Sequence, residues 1–295
     1  MQFDIDCTDG PAFEILHPVV HSAPFVFNSP HSGRSYPRGF LEQSRLDALT
    51  IRRSEDCYVD ELYAFAPRLG APLLKANFPR AWLDLNREPY ELDPKMFRDS
   101  LPSYANTRSV RVAGGLGTVP RLVAEGQEIY TRRLCYAEAE ARINGVYKPY
   151  HETLRNMIAR THGHFGYAVL IDCHSMPANV RTGDNEKPDF IIGDRFGASA
   201  APELTRTAIS ILRRMGYTVA VNKPYAGGFI TEHYGRPARG LHALQVEVNR
   251  GLYMNEATLE RTAGYEALRE DLAWFCGELM ALPDRLFADM RLAAE

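Results

Sequence analysis

The sequence predicts an α/β protein, a three-layer α/β/α single domain over residues 1–295 with a mainly parallel or mixed central sheet. Three observations predict it. Short apolar runs recur along the chain, several of them continuous, as in strands buried on both faces. Stripes of apolar residues at helical spacing lie between them. No repeat, low-complexity tract or long Pro/Gly/Ser linker divides the sequence. Alternation of this kind covers a sheet with helices on both sides, and 295 residues suffice for a substantial core.

Strands are expected at Pro24–Phe27, Ala71–Ala76, Ala81–Leu85, Tyr167–Cys173, Phe190–Ile192, Tyr217–Val221 and Leu241–Val248. Ser54 suits a helix N-cap, with Val59, Leu62, Tyr63 and Ala66 following on one face. Glu125–Arg160 reads as helical at both ends, broken or kinked at Pro149. Leu204, Ala208, Ile211, Leu212 and Met215 form the stripe of a helix that Gly216 stops. Tyr265, Leu268, Leu272, Phe275 and Leu279 mark a last helix, with Asn255 as its cap. Gly-rich Val112–Gly117 follows no clear strand, opens no βαβ unit, and reads as a flexible loop rather than a dinucleotide site. Ala226–Thr231 reads as a turn of close backbone approach.

Composition excludes several classes of function. The chain is 45% apolar and 24% charged with a formal net charge of −3. Nothing in that balance draws nucleic acid or an anionic membrane wholesale, so anion recognition must be local. No apolar run approaches the roughly 20 residues of a spanning helix, and the acidic Met1–Asp9 lacks the basic region of a signal peptide. Cys7, Cys57, Cys135, Cys173 and Cys276 stand singly, without a CxxC pair. Reduced thiols and a cytoplasmic location are expected.

Two histidines carry the chemistry. His31, in Asn28-Ser-Pro-His-Ser-Gly33, and His174, in Ile171-Asp-Cys-His-Ser-Met176, each follow an apolar run and enter a polar turn. Strand ends of an α/β sheet are where ligands collect, and neutral imidazole suits zinc. One shared metal site is expected; the alternative is that each ring only satisfies a turn carbonyl. A hydrolytic zinc also needs a third ligand and a general base. Glu55 and Asp56 are the nearest acids, although acidic residues at a helix start also have a dipole reason to be there. Glu247 lies inside an apolar strand, where a carboxylate is costly unless it is paired with Arg250 or Arg87 or serves as a base. Asn86 and Arg87 close another apolar run and offer an amide and a planar fork to a substrate carboxylate. Arg80, Arg181 and Arg250 are further cationic candidates for an anionic substrate.

In order, these segments resemble the N-formylglutamate amidohydrolase (N-formylglutamate deformylase) family. The resemblance runs through Asn28–Gly33, Arg53–Leu62, Asp84–Pro89, Ile171–Pro177 and Gln245–Met254, nearly the whole chain. More distantly the series is similar to zinc carboxypeptidases, and it implies a fold of that kind. It implies zinc, or another divalent transition metal, on His31 and His174, carboxylate binding by Asn86 and Arg87, and Glu247 as the general base. The HxxE motif of the carboxypeptidases is missing, since Arg34 stands three after His31; the resemblance favours Asp56 over Glu55 as third ligand. The implied reaction is hydrolysis of N-formyl-L-glutamate to formate and L-glutamate, the last step of one route of histidine breakdown. The partner is then a small anionic N-acyl amino acid, with no nucleic acid and no membrane. Two alternatives remain at this level: a zinc amidohydrolase or exopeptidase for another N-acyl amino acid, and a non-catalytic metal-dependent binder of acidic ligands.

Overall fold

A computed structural model describes residues 10–282 except 125 and 184. The acidic segment Met1–Asp9, with Cys7, lies outside the described residues. The chain begins with β1 (Phe13–Leu16), β2 (Phe25–Ser29) and β3 (Leu73–Ala76). A short antiparallel ladder, β4 (Leu122–Ala124) with β5 (Gln127–Glu128), precedes β6 (Ala168–Met176), β7 (Phe190–Gly193), β8 (Val219–Val221) and β9 (Leu241–Asn249). A second ladder, β10 (Met254–Asn255) with β11 (Glu260–Arg261), follows. The helices are α1 (Arg38–Gln43), α2 (Val59–Leu62), α3 (Val110–Ala113), α4 (Tyr136–Arg142), α5 (Lys148–Phe165), α6 (Pro202–Arg214), α7 (Phe229–Tyr234) and α8 (Gly264–Met280).

Seven strands form one sheet in the order β1-β3-β2-β6-β9-β7-β8. Strand β6 runs parallel to β2 and to β9, whereas β7 runs antiparallel to β9 and parallel to β8. The sheet is therefore mixed, as expected. Every residue of β6 is buried, and in β9 only the first is not, as in strands covered on both faces. Five of the seven expected strand positions from Pro24 to Val248 coincide with β2, β3, β6, β7 and β9, and a sixth with β8.

By contact density the chain divides into two units. One comprises the residues up to Glu14, Pro30–Glu55 and Lys75–Thr153; the other comprises Ile15–Ser29, Asp56–Leu74 and the residues from Leu154 onward. In the latter, alternation along the strands separates two faces. Val169, Ile171 and Cys173 of β6 and Leu244, Val246 and Val248 of β9 pack with Leu204, Ala208 and Ile211 of α6 and with Leu268, Leu272 and Phe275 of α8. The intervening residues, Asp172, His174, Gln245 and Glu247, point to the other face. Helix α7 packs against β6 and β9 there, and Gly228 at its start hydrogen-bonds Gln245. In the former unit the Arg142 guanidinium is buried among Phe40, Trp82 and Tyr130. It donates to the Trp82 carbonyl at 2.9 Å and the Tyr130 hydroxyl at 2.8 Å, so a cation is solvated by rings and oxygens.

Four local expectations differ from the structure. Ala81–Leu85 is buried but forms turns: Trp82 and Leu83 both bond back to the Pro79 carbonyl, and the Asp84 amide donates to the Thr118 carbonyl, which lies outside any strand. Ser54 ends a 3₁₀ helix (Thr50–Ser54) instead of capping an α-helix, and α2 starts after Tyr58, which is left-handed at φ 66°. Within Glu125–Arg160, where Glu125 itself is outside the described residues, the segment before Tyr136 is not helical; Pro149 sits near the start of α5, behind a π-helical stretch at Ile143–Tyr147. Asn255 caps a short turn, accepting from the amides of Ala257 and Thr258, and α8 begins after Ala263. Gly216, by contrast, follows α6 in the left-handed conformation its position requires, at φ 94°.

Phe275, fully buried in the α6–α8 core, tests this packing. Phe275→Ala is expected to cost about 3–5 kcal/mol, lowering Tm by roughly 6–20 °C in a thermal unfolding experiment.

Candidate metal centre

Parallel pairing of β6 with β9 sets Asp172 opposite Gln245 and His174 opposite Glu247, so all four side chains share one face. Both nitrogens of the buried His174 ring meet carboxylates. Nε2 lies 3.0 Å from Asp172 Oδ2, and Nδ1 lies 3.0 Å from Asp56 Oδ2. Asp172 is steadied from β2, where Asn28 Nδ2 donates to its Oδ1 at 2.7 Å. The contact with Asp56 is a hydrogen bond, whereas that with Asp172 is a close ion-pair approach; carboxylates in such positions orient an imidazole ring. Burial lowers the His174 pKa, but Asp172, Asp56 and Glu247 outweigh it and hold the ring well above the ordinary imidazole range. The surroundings thus favour positive charge at this point.

Asp56 occupies the break between the Thr50–Ser54 turn and α2. Its Oδ1 accepts from Arg250 Nη2 at 3.0 Å and from Ser175 Oγ at 3.3 Å, which turns Oδ2 toward His174. Arg250 Nε also donates to Ser175 Oγ at 3.0 Å. Glu55, one residue earlier and equally buried, is turned elsewhere: it accepts two bonds from Arg52 Nε, a third from Arg52 Nη2, and one from the Tyr36 hydroxyl.

His31 follows β2 by two residues. Its turn needs Gly33, because a Cβ there would come within 2.2 Å of the Phe78 carbonyl oxygen. His31 Nε2 lies 2.7 Å from Asp84 Oδ1, so this ring too has a buried aspartate beside its Nε2. Asp84 accepts from the Asn86 amide at 2.8 Å and from Arg80 Nη2 at 2.8 Å, with Arg87 Nη2 at 3.8 Å. Burial would raise its pKa, but Arg80, Arg87 and His31 together hold it well below the usual carboxylate range. Arg87 Nε donates to the Leu116 carbonyl at 2.8 Å. The Gly-rich stretch that reads as a flexible loop is therefore packed: Leu116 supports Arg87, and a Cβ on Gly117 would meet the Glu91 carbonyl oxygen at 2.2 Å.

His31, Asp56 and His174, all buried, each offer one ligand atom, and these atoms lie within 4.8 Å of one another. Two imidazoles and one carboxylate are a donor set of the catalytic-zinc kind, three protein ligands with a further position left for water or substrate. Glu247 is not among the three; its Oε1 accepts from Gln245 Nε2 at 2.8 Å. Asn86 is buried beside Arg87. Arg181 is exposed in the loop after β6, where Nη1 donates to the Asn185 carbonyl at 2.9 Å. Sequence reasoning did not assign the supporting carboxylates Asp84 and Asp172. For Asp172 a signal existed, because residues two apart in a strand share a face. For Asp84 there was none, since its partner His31 is distant in sequence.

Comparison with known proteins adds a family. The model of the N-formylglutamate amidohydrolase family matches residues 23–254. The N-formylglutamate deformylase of Pseudomonas aeruginosa is 32% identical over 270 residues, 85% of this chain and 93% of that protein. The protein of the same name from Pseudomonas putida is 32% identical over 79% of this chain and 82% of its own length. The crystal structure of N-formylglutamate amidohydrolase from Ralstonia eutropha superposes with a TM-score of 0.85 at 34% identity, covering 96% of this chain and 99% of that one. A gene product of Agrobacterium tumefaciens shares the fold, with a TM-score of 0.66 at 18% identity over 96% of each chain. With the match spanning most of its length, this chain belongs to the N-formylglutamate amidohydrolase family.

Proposed function

We propose that this amidohydrolase cleaves N-formyl-L-glutamate to formate and L-glutamate, using zinc or another divalent transition metal held by His31, Asp56 and His174. The gathering of those three ligand atoms within 4.8 Å carries the proposal, supported by relatives named for that substrate. The residues suit a metal: His31 is hydrogen-bonded through Nε2 to Asp84, His174 lies between the carboxylates of Asp172 and Asp56, and Asp56 keeps one oxygen for Arg250 and the other toward His174. When bound, the metal would polarise the formyl carbonyl and make water more acidic.

Glu247, across from His174 on β9, takes the role of general base. It removes a proton from the attacking water and returns one to the amine as the carbon–nitrogen bond breaks. A formyl group offers little surface to recognise, so selectivity rests on the two glutamate carboxylates. Asn86 and Arg87 are assigned to a carboxylate, with Arg80 and, from the loop after β6, Arg181 as further cationic donors. Arg250, already engaged with Asp56, acts first by steadying that ligand. The reaction would close one route of histidine breakdown. Among the described residues Cys57, Cys135, Cys173 and Cys276 form no disulfide, which suits a cytoplasmic enzyme, and residues 1–295 are taken as one domain.

Formate release from N-formylglutamate, before and after chelation, tests the proposal: activity is expected to disappear with the metal and return with added zinc. Full turnover by verified metal-free protein would overturn the mechanism. Glu247→Gln is expected to keep its metal and lose about 10²- to 10⁴-fold in kcat. Asp172→Asn weakens the support of His174 and is expected to cost about 10- to 100-fold in metal affinity, read by competition with a chromogenic chelator. Arg87→Ala is expected to lower kcat/KM about 30- to several-thousand-fold, the equivalent of roughly 2–5 kcal/mol, at unchanged metal content. If it cleaves N-formylglutamate as well as the parent protein, the carboxylate clamp lies elsewhere.

A further inference from the structure

We infer that Gln245 is a positioning residue for this hydrolysis, locking the Glu247 carboxylate in place by coupling it to the Gly227–Gly228 turn. The inference rests on the reading of Glu247 as the general base. Gln245 lies two residues before Glu247 on β9, and both face the side of the sheet that carries His174. Gln245 is buried, and its amide is committed at both ends. Oε1 accepts from the Gly228 amide at 2.8 Å, and Nε2 donates to Glu247 Oε1 at 2.8 Å.

The orientation of that amide is forced. A backbone N–H can only donate, so Gly228 requires the Gln245 oxygen on its side. The NH₂ group must then face Glu247, and it can only donate. The result is a neutral donor to an ionised carboxylate, a contact that fixes the carboxylate without supplying a competing charge.

The turn itself is closely packed. Gly193, opposite Gln245 on β7, lies so close under it that a Cβ would meet the Ala226 carbonyl carbon at 2.7 Å and the Gly227 nitrogen at 2.8 Å. Gly227 is left-handed at φ 112°, which an L side chain rarely adopts. The chain from β7 through the turn to Gln245 thus forms a rigid frame whose outward end is Glu247 Oε1. Proton transfer depends steeply on such placement, and an error near 1 Å can cost on the order of 100-fold.

Two substitutions test this, with kcat, KM and metal content measured for each. Gln245→Leu removes both hydrogen bonds at similar size. Gln245→Glu keeps an acceptor for Gly228 but presents a second carboxylate to Glu247. Each is expected to lower kcat about 10- to 100-fold, with KM within about twofold and metal content unchanged. In a Glu247→Gln background each is expected to be silent, because residues acting through one another are not additive. Normal kcat in both single variants overturns the inference, as does an equal loss with and without Glu247. If Gln245→Leu fails to fold, Gln245→Glu decides. Should Glu247→Gln itself retain turnover, the base assignment fails instead, and the two failures are distinguishable.

Discussion

The register between β6 and β9 governs what this sheet can do. One residue of slip would turn either Asp172 and His174 or Gln245 and Glu247 into the apolar core, and expose Ile171 and Cys173 or Val246 and Val248 in their place. Burying such polar side chains among α6 and α8 without partners is costly. The hydrophobic pattern on one face therefore enforces the arrangement on the other. His174 meets Glu247 because Cys173 meets Val246. Packing on one side and chemistry on the other are two expressions of a single pairing.

Each histidine is then held by an aspartate, and the two aspartates differ in how their burial is offset. Asp172 is fully buried and accepts from a neutral amide, Asn28. Asp84 sits beneath two arginines and a backbone N–H. Asp84 is thus anchored as part of a charged cluster, while Asp172 relies on the ring it supports. Arg250 plays the corresponding part for Asp56. In each case the fold engages at least one carboxylate oxygen, so that the remaining geometry is prescribed before any ligand arrives.

Much of this was legible in the sequence. The strand before His31 and the strand that carries His174 announced themselves through apolar runs, although β6 runs on through His174 to Met176 where a turn is expected, and Gly216 marked the end of α6. The choice between Glu55 and Asp56 was not readable from spacing, because their directions depend on Arg52 and Arg250, one three residues before Glu55 and the other 194 residues beyond Asp56. Ala81–Leu85 shows the opposite failure. An apolar run signals burial, but whether buried backbone becomes strand depends on a neighbour to pair with, and that is a property of the whole sheet. The role of Leu116 in supporting Arg87 was hidden for a similar reason: glycines signal turns, yet only packing distinguishes a mobile turn from a fixed one.

The two ends of the seven-stranded sheet have a consequence for the company the protein keeps. An unpaired strand edge is a template on which another chain can add itself. Here the outer strands are β1, of four residues, and β8, of three. Beyond β8 the chain turns at Asn222, left-handed at φ 59° and tied back to Asp194, and Pro224 follows, which has no backbone N–H to donate. The long, almost wholly buried strands β6 and β9 lie inside the sheet, while its margins among the described residues offer a foreign strand only three or four residues to pair with.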